Sequence, residues 1–364
     1  MTAEPSSRNM PDRSALEAWM MREVPDFHGP VTAVPLAGGN SNPTFRLTAP
    51  SGDYVLRRKP LGTLLASAHM VEREFRVMAA LAGSGVPVPH VHALCEDPSV
   101  IGSAFYVMAF VPGRVFMDPR LPGLSPAERA GIFDSMNEVI AQLHQIDPVA
   151  AGLGDYGRPA NYMQRQFGRW SKQYRLSETV AIPAMERLME WLPSRLPSSD
   201  EVRIVHGDLR LDNMLIHPTE PRVVAVLDWE LSTLGDPLSD FANNTLAWYL
   251  RPEVFRGLEG VDLAALGIPD AADYVASYNR RTGRRSGPGS ATENWEVYVA
   301  FNLFRLAAIV QGIAKRSEEG TASDPAAAAL GRMATPIAGA GWRVAERLTA
   351  EALTGRLSAA AAFP

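Results

Sequence analysis

Apolar residues follow two different rhythms along this chain. Between Val31 and Val111 they come in short runs and alternations broken by turn residues, as strands do. Past Gly113 they recur at every third or fourth position over long stretches, as helices do. In the first region, residues 31–37 predict a strand and Gly38-Gly39-Asn40-Ser41-Asn42 a loop. Residues 44–49 predict a second strand, 50–53 a turn and 54–58 a third strand, giving two successive hairpins of one antiparallel sheet. A helix capped by Ser67 follows, with Val71, Phe75, Met78 and Ala82 as its apolar stripe, and then strands near 91–94 and 105–111. One helix over residues 14–24, with Leu16, Trp19 and Met20 on one side, precedes the sheet.

In the second region Ser125-Pro126-Ala127-Glu128 supplies an N-cap, a first-turn proline and a capping-box glutamate. Ile132, Met136, Val139, Ile140 and Leu143 form the stripe behind it. Further helices are predicted over 162–174, 182–191, 238–250, 271–282, 293–315 and 326–351. The expected architecture is α+β and two-lobed. A small antiparallel β lobe occupies residues 1–111, and a larger, mainly helical lobe occupies 112–364, with a hinge near 110–113.

Composition narrows the classes of function. Of 364 residues, 46% are hydrophobic and 21% charged, a soluble globular balance. A net charge of -5 and a pI near 5.9 argue against a nucleic-acid binder, which would normally show a basic face. Cys95 stands alone, so no internal disulfide is possible and a reducing compartment is expected. Residues 1–20 lack the apolar run of a signal peptide, and no stretch approaches about 18 apolar residues. The expectation is a cytoplasmic protein with no membrane partner.

The chemistry concentrates in His206-Gly207-Asp208-Leu209-Arg210-Leu211-Asp212-Asn213 and in Leu227-Asp228-Trp229-Glu230. A short strand over 202–205 delivers His206 to a loop, and 214–217 and 223–227 read as a hairpin around Pro218-Thr219-Glu220-Pro221. With His217 paired to Val224, Asn213 falls opposite Asp228, and an amide oxygen and a carboxylate converge. A hard cation such as Mg²⁺ takes oxygen ligands of that kind and keeps phosphate oxygens as the remainder. Asp208 would stand just outside, placed to accept the proton of an attacking hydroxyl. A lone His-Gly-Asp is far more often an ordinary turn; the additional Asn213 and Asp228 at these spacings set this one apart.

His-x-Asp-x-x-x-x-Asn followed by a strand ending in Asp is similar to the catalytic and metal-binding loops of protein kinases and their small-molecule relatives. Leu227-Asp228-Trp229-Glu230, Gly235-Asp236-Pro237 and Asp240 resemble the aminoglycoside phosphotransferase and choline kinase superfamily, over roughly residues 30–320. Within it, the wording from His206 to Ile216, together with Tyr54-Val55-Leu56-Arg57-Arg58-Lys59-Pro60, is most similar to the phosphotransferase domains that accompany acyl-CoA dehydrogenases. The resemblance implies a kinase-like fold that uses ATP and Mg²⁺ to phosphorylate a hydroxyl of a small molecule. It implies that Asp208 is the catalytic base, with Arg210 beside it and Asp240 bracing the loop, and that Asn213 and Asp228 are the metal ligands. By the same resemblance Gly39, Asn40, Ser41 and Asn42 lie over the phosphates, and Arg57 stands where relatives carry a lysine, with Lys59 a possible substitute. Glu74 is its expected partner, with Glu72 further from the stripe, and Phe110 and Val111 belong to the hinge that holds adenine.

The acceptor is less marked. Arg165, Trp170 and Tyr174 fall where relatives bind acceptors, while Arg280, Arg281, Arg284 and Arg285 form either a solvated helix end or an anion site. Glu230 is a candidate second metal ligand or an exposed acid, and Arg305 a buried ion-pair partner. The branch resembled suggests a hydroxyacyl-CoA or a related acyl compound. Competing readings are a choline- or aminoglycoside-type kinase and a non-catalytic nucleotide- or acyl-binding module.

Overall fold

The structure, a computed structural model, describes residues 10–36, 42–61, 69–198, 201–285, 295–321 and 326–361, with 351–361 as backbone alone. The N-terminal part comprises α1 (Arg13–Glu23), β1 (Thr32–Pro35), β2 (Thr44–Ala49), β3 (Gly52–Arg58), α2 (Val71–Leu81), β4 (Val91–Cys95) and β5 (Phe105–Ala109). Its five strands form one antiparallel sheet in the order β1-β2-β3-β5-β4. The first two hairpins are therefore as the alternation predicts, with Thr44 opposite Arg57 and Ala49 opposite Gly52.

The α2 stripe differs from the expected one. Its buried residues are Val71, Glu74, Val77, Met78 and Leu81, Phe75 is half-buried, and Ala82 lies past the helix end. Glu74 thus sits on the buried face itself, because a carboxylate inside the protein has an arginine to meet there. The proposed cap Ser67 lies outside the described residues.

The C-terminal part begins with α3 (Pro126–Gln145), α4 (Tyr162–Ser177) and α5 (Pro183–Trp191). Two small strand pairs come next in chain order: β6 (Arg203–Val205), β7 (Met214–Ile216), β8 (Val223–Val226) and β9 (Thr233–Gly235), with β6 paired to β9 and β7 to β8. Helices α6 (Pro237–Asn244), α7 (Leu263–Leu266), α8 (Ala271–Arg281), α9 (Trp295–Glu318), α10 (Ala327–Gly331) and α11 (Ala334–Ala361) complete it. Ser125 and Glu128 form the capping box that opens α3.

Two predicted helices are divided. The one over 238–250 ends at Asn244 and tightens into a 3₁₀ turn, Thr245–Tyr249, with the Thr245 hydroxyl donating to the Ala242 carbonyl at 3.0 Å. The one over 326–351 splits into α10 and α11, with Pro336 in the first turn of α11, where a missing N–H leaves no bond unmade. Helix α9 is long and apolar enough to cross a membrane, which the composition did not suggest, yet 78% of its most apolar window is buried inside the protein.

Two hydrophobic clusters hold the chain together. A smaller one joins α1 to the outer face of the sheet through Trp19, Phe45, Leu56 and Phe105. The larger one runs from Val55, Val77, Tyr106 and Met108 through α3 to α9 and α11, so the inner face of the sheet shares its core with the helices. Between them the chain crosses at 110–113, where Arg114 exchanges two backbone hydrogen bonds with Ile216 at 2.7 and 2.9 Å.

Ser125→Ala removes the α3 cap and should cost about 1 kcal/mol in a urea unfolding curve while leaving ligand binding unchanged.

Candidate active site

The loop after β6 is held by one buried carboxylate. Asp240, in the first turn of α6, accepts the His206 N–H at 2.7 Å on one oxygen and the Gly207 N–H at 2.9 Å on the other. The His144 imidazole approaches it at 3.3 Å. Burial pushes this carboxyl up, but the His144 and backbone hydrogen bonds outweigh burial and hold it below the usual aspartate range. Asp236 caps α6 by accepting from the Leu238 and Ser239 N–H groups, and Pro237 fills the first helical position. Gly207 has φ +85°, and a Cβ there would meet the Leu231 carbonyl oxygen at 2.6 Å, so only glycine fits. His206 accepts the Asp208 N–H on Nδ1 at 3.2 Å and donates from Nε2 to the Leu227 carbonyl at 2.8 Å, which orients the loop.

Asp208 emerges from this loop half-buried. Arg210 donates to both its carboxylate oxygens, at 2.9 and 3.2 Å. Asn213 donates from Nδ2 to the Asp208 carbonyl at 2.8 Å and to its carboxylate at 3.1 Å. Arg305 of α9 donates to the Gly207 carbonyl. Burial would raise the Asp208 carboxyl; the Arg210 and Arg305 charges prevail and keep it below its ordinary value.

The hairpin register differs from the expected one. Met214 pairs with Val226, a bulge intervenes between Leu215 and Ile216, and the His217 N–H bonds to the Arg222 carbonyl. Asn213 therefore opposes Leu227 rather than Asp228, and Leu227 donates to the Asn213 carbonyl at 2.8 Å. Asp228 follows with φ +64°, a turn that swings its carboxylate toward the sheet instead.

On the sheet side Arg57 takes the cleft position. Its Nε lies 2.8 Å from Glu74, and its Nη2 donates to Asp228 at 2.7 Å and approaches Glu230 at 3.6 Å. Lys59 is paired with Glu72 at 2.9 Å, which separates the two basic residues that alternation left equivalent. Glu74 also accepts from Asn42 Nδ2 at 2.8 Å and Tyr106 Oη at 3.1 Å. Burial pushes the Glu74 carboxyl up, and the Arg57 charge only partly offsets it.

Asn42 corrects an expectation: it is fully buried, and its carboxamide is spent on Glu74 and on the His69 ring at 3.0 Å, so its side chain braces Arg57's partner rather than facing phosphates. Gly39, Asn40 and Ser41 lie outside the described residues.

A cleft of about 1050 Å³ lies between sheet and helices, lined by Arg57, Glu74, Tyr106, Phe110, Val111, Asn213 and Asp228. Behind Asp208 is a narrower cavity of about 100 Å³, which shares Arg210, Asp212, Phe255 and Arg256 with the cleft. Its walls are apolar, from Phe133, Met136, Leu246, Trp248, Leu306 and Ile309, and its charged lining is three arginines against two aspartates. None of Arg165, Trp170 and Tyr174 lines either space; Tyr174 is buried, and Trp170 lies beneath Arg305, 5.5 Å from ring centre to guanidinium.

Within the basic group at the end of α8, Arg281 pairs with Asp134 at 2.7 Å and Arg284 with Glu201 at 2.7 Å, while Arg280 donates to the Ser277 hydroxyl. Sequence reasoning missed Asn243 and Arg256 as cavity residues and read Arg305 as an ion-pair partner. The one available signal was a lone cation inside the apolar run of α9.

The profile of the Phosphotransferase enzyme family matches residues 32–275. The chain belongs to this family. It is 46% identical over 321 residues to mouse acyl-CoA dehydrogenase family member 10, covering 88% of this chain and 30% of that one. To human acyl-CoA dehydrogenase family member 11 it is 40% identical over 341 residues, covering 92% and 43%. The chain thus spans less than half the length of these curated relatives. A solved Ralstonia eutropha protein, assigned as an aminoglycoside phosphotransferase, superposes with a TM-score of 0.84 at 54% identity over 93% of this chain and 99% of its own. An aminoglycoside phosphotransferase variant in ternary complex with ADP and hygromycin B shares the fold at 16% identity, with a TM-score of 0.57, coverage being 90% and 99%. The fold of this phosphotransferase is accordingly kinase-like, as its motifs suggested.

Asp240→Asn leaves one loop N–H without a carboxylate oxygen and should cost about 1–3 kcal/mol near neutral pH. Because the folded-state carboxyl titrates below its unfolded value, the gap to wild type should be full above the ordinary aspartate range. It should close as pH falls through and below that range, as read from urea curves at a series of pH values.

Proposed function

We propose that this kinase-type phosphotransferase transfers the γ-phosphoryl group of ATP, with Mg²⁺, to a hydroxyl on a small and largely apolar acceptor. The observation that carries this reading is the meeting of two spaces at Arg210 and Asp212: a cleft bounded by Arg57, Asn213 and Asp228, and an apolar cavity lined by Asp208. A triphosphate in the cleft and an alcohol in the cavity would face each other across the Asp208 carboxylate.

The donor set suits a hard cation. Asn213 Nδ2 is committed to Asp208, which turns its Oδ1 away to serve as a ligand, and Asp228 bonds Arg57 through only one of its oxygens. Two oxygen donors, completed by phosphate oxygens, match the way Mg²⁺ is usually held beside nucleotides. When bound there, the metal would neutralise charge on the β- and γ-phosphoryl oxygens. Arg57 would supply fixed positive charge to the phosphates, held straight by Glu74. Phe110 and Val111 lie where the adenine would rest. Arg210 orients Asp208 and lines both spaces, so it would also reach the place where charge is transferred.

Asp208 would accept a hydrogen bond from the acceptor hydroxyl, align the oxygen and take its proton as the new P–O bond forms. A carboxylate kept below its ordinary pKa is a weak base, and phosphoryl transfer asks mainly for positioning and charge stabilisation.

The cavity's positive balance and apolar walls disfavour a polycationic aminoglycoside and favour a neutral or anionic acceptor on an apolar body. A hydroxyacyl compound, such as a hydroxyacyl-CoA, has those properties.

Asp208→Ala should lower acceptor-dependent ADP formation by about 10²–10⁴-fold while nucleotide still binds; full activity would remove Asp208 from the role. Asp228→Ala should instead weaken Mg²⁺-dependent nucleotide binding in calorimetry, and unchanged affinity would contradict the metal assignment.

A further inference from the structure

Helix α6 carries two successive asparagines toward the catalytic loop, and the fold treats them differently. Both are only 7% exposed. Asn244 is satisfied: its Nδ2 donates to the Leu209 carbonyl at 3.1 Å, and its Oδ1 accepts from Tyr274 Oη at 2.9 Å. Asn243 lines the apolar cavity beside Asp208, and its Nδ2 has no hydrogen-bond partner among the described residues. Its Oδ1 makes no hydrogen bond to them either. Buried carboxamides are rarely left so, and those that are call for a water, an ion or a ligand.

The surroundings indicate which ligand atom fits. Arg305 enters the same cavity with one bond to the Gly207 carbonyl and makes no ion pair among the described residues. Arg256, with left-handed backbone at φ +59°, stands 3.8 Å from Asp212 at the mouth shared with the nucleotide cleft. Two cations near a carboxamide make the cavity receptive to an oxygen lone pair. Of the two carboxylates in the lining, Asp212 faces Arg210 and Arg256, and Asp208 takes the hydroxyl. Leu246, Leu306 and Ile309 belong to the same apolar lining.

We propose that Asn243 is a specificity-determining residue, donating a hydrogen bond from its buried carboxamide to a carbonyl-type oxygen of the phosphoryl acceptor. This rests on the assignment of the Asp208 cavity to the acceptor. Free carboxylate, ester and thioester share the chemistry; what the residue selects is an acceptor that carries both a hydroxyl and a carbonyl oxygen on an apolar chain.

The test compares positional isomers of methyl hydroxydecanoate with the matching secondary decanols, which lack the carbonyl. Binding is measured by calorimetry on the full chain with Mg²⁺ and a non-hydrolysable ATP analogue, and turnover by acceptor-dependent ADP release. Wild type should bind at least one ester about 5–10-fold more tightly than its matching alcohol, the effect of one uncharged hydrogen bond. Asn243→Leu should erase that ratio by weakening the ester more than the alcohol. Asn243→Asp, which keeps the shape and loses the donor, should do the same and serves if the leucine variant does not fold.

An unchanged ratio in both variants, equal weakening of ester and alcohol, or no ester preference in wild type would each overturn the assignment; the first would mean that the amide is met by water. An Asn243-dependent ratio without ADP release from any probe would uphold the binding role and defeat the phosphoryl-transfer reading.

Discussion

One guanidinium joins the sheet to the helical part of the protein. Arg57 reaches from β3 to Glu74 in α2 and, across the cleft, to Asp228 after β8. Burying that cation is unfavourable unless carboxylates accompany it, and burying Glu74 is unfavourable unless the cation does. The remaining lone pairs of Glu74 are met by Asn42 and Tyr106, which leaves this network little freedom to rearrange. The position of the cleft, the direction of α2 and the aim of Asp228 all follow from this arrangement. An arginine suits the place better than a lysine, since its fork meets two carboxylates from different elements at once.

A second anion does the same for the opposite wall. Asp240 gathers two backbone N–H groups and an imidazole, and through them fixes where Asp208 emerges. The two walls are built from unrelated segments, one ordered around a buried cation and one around a buried carboxylate. Between them stands a space whose polar groups face inward and whose back is apolar. Chemistry that moves a charged group onto a hydroxyl needs this division, with charge stabilised on one side and water kept out on the other.

Much of this was legible in the chain. Period-two and period-three-to-four patterns locate the hairpins and α3, because each element buries one face and its sequence must say which. The motif from His206 to Asp228 marks the candidate site by the types and spacing of its polar residues. What could not be read depends on contacts between distant segments. The β7–β8 register slips by a bulge that no residue in the turn announces, and Asp228 reaches its place by a left-handed backbone rather than by strand pairing. Asn42 looks like part of a polar loop until Glu74 is beside it. Asn243 and Asn244 are neighbours of one type, and only Tyr274 and Leu209, from other elements, distinguish them.

The distribution of the two hydrophobic clusters bears on how this protein can be taken apart. Only the outer face of the sheet, with α1, has a core of its own; the inner face, through Val55, Tyr106 and Met108, is built into the interior of the helices. The sheet is therefore not a detachable module. A chimaera that grafts these strands onto another family member inherits an unmatched interior along the whole of α2 and must exchange the residues packed beneath it as well.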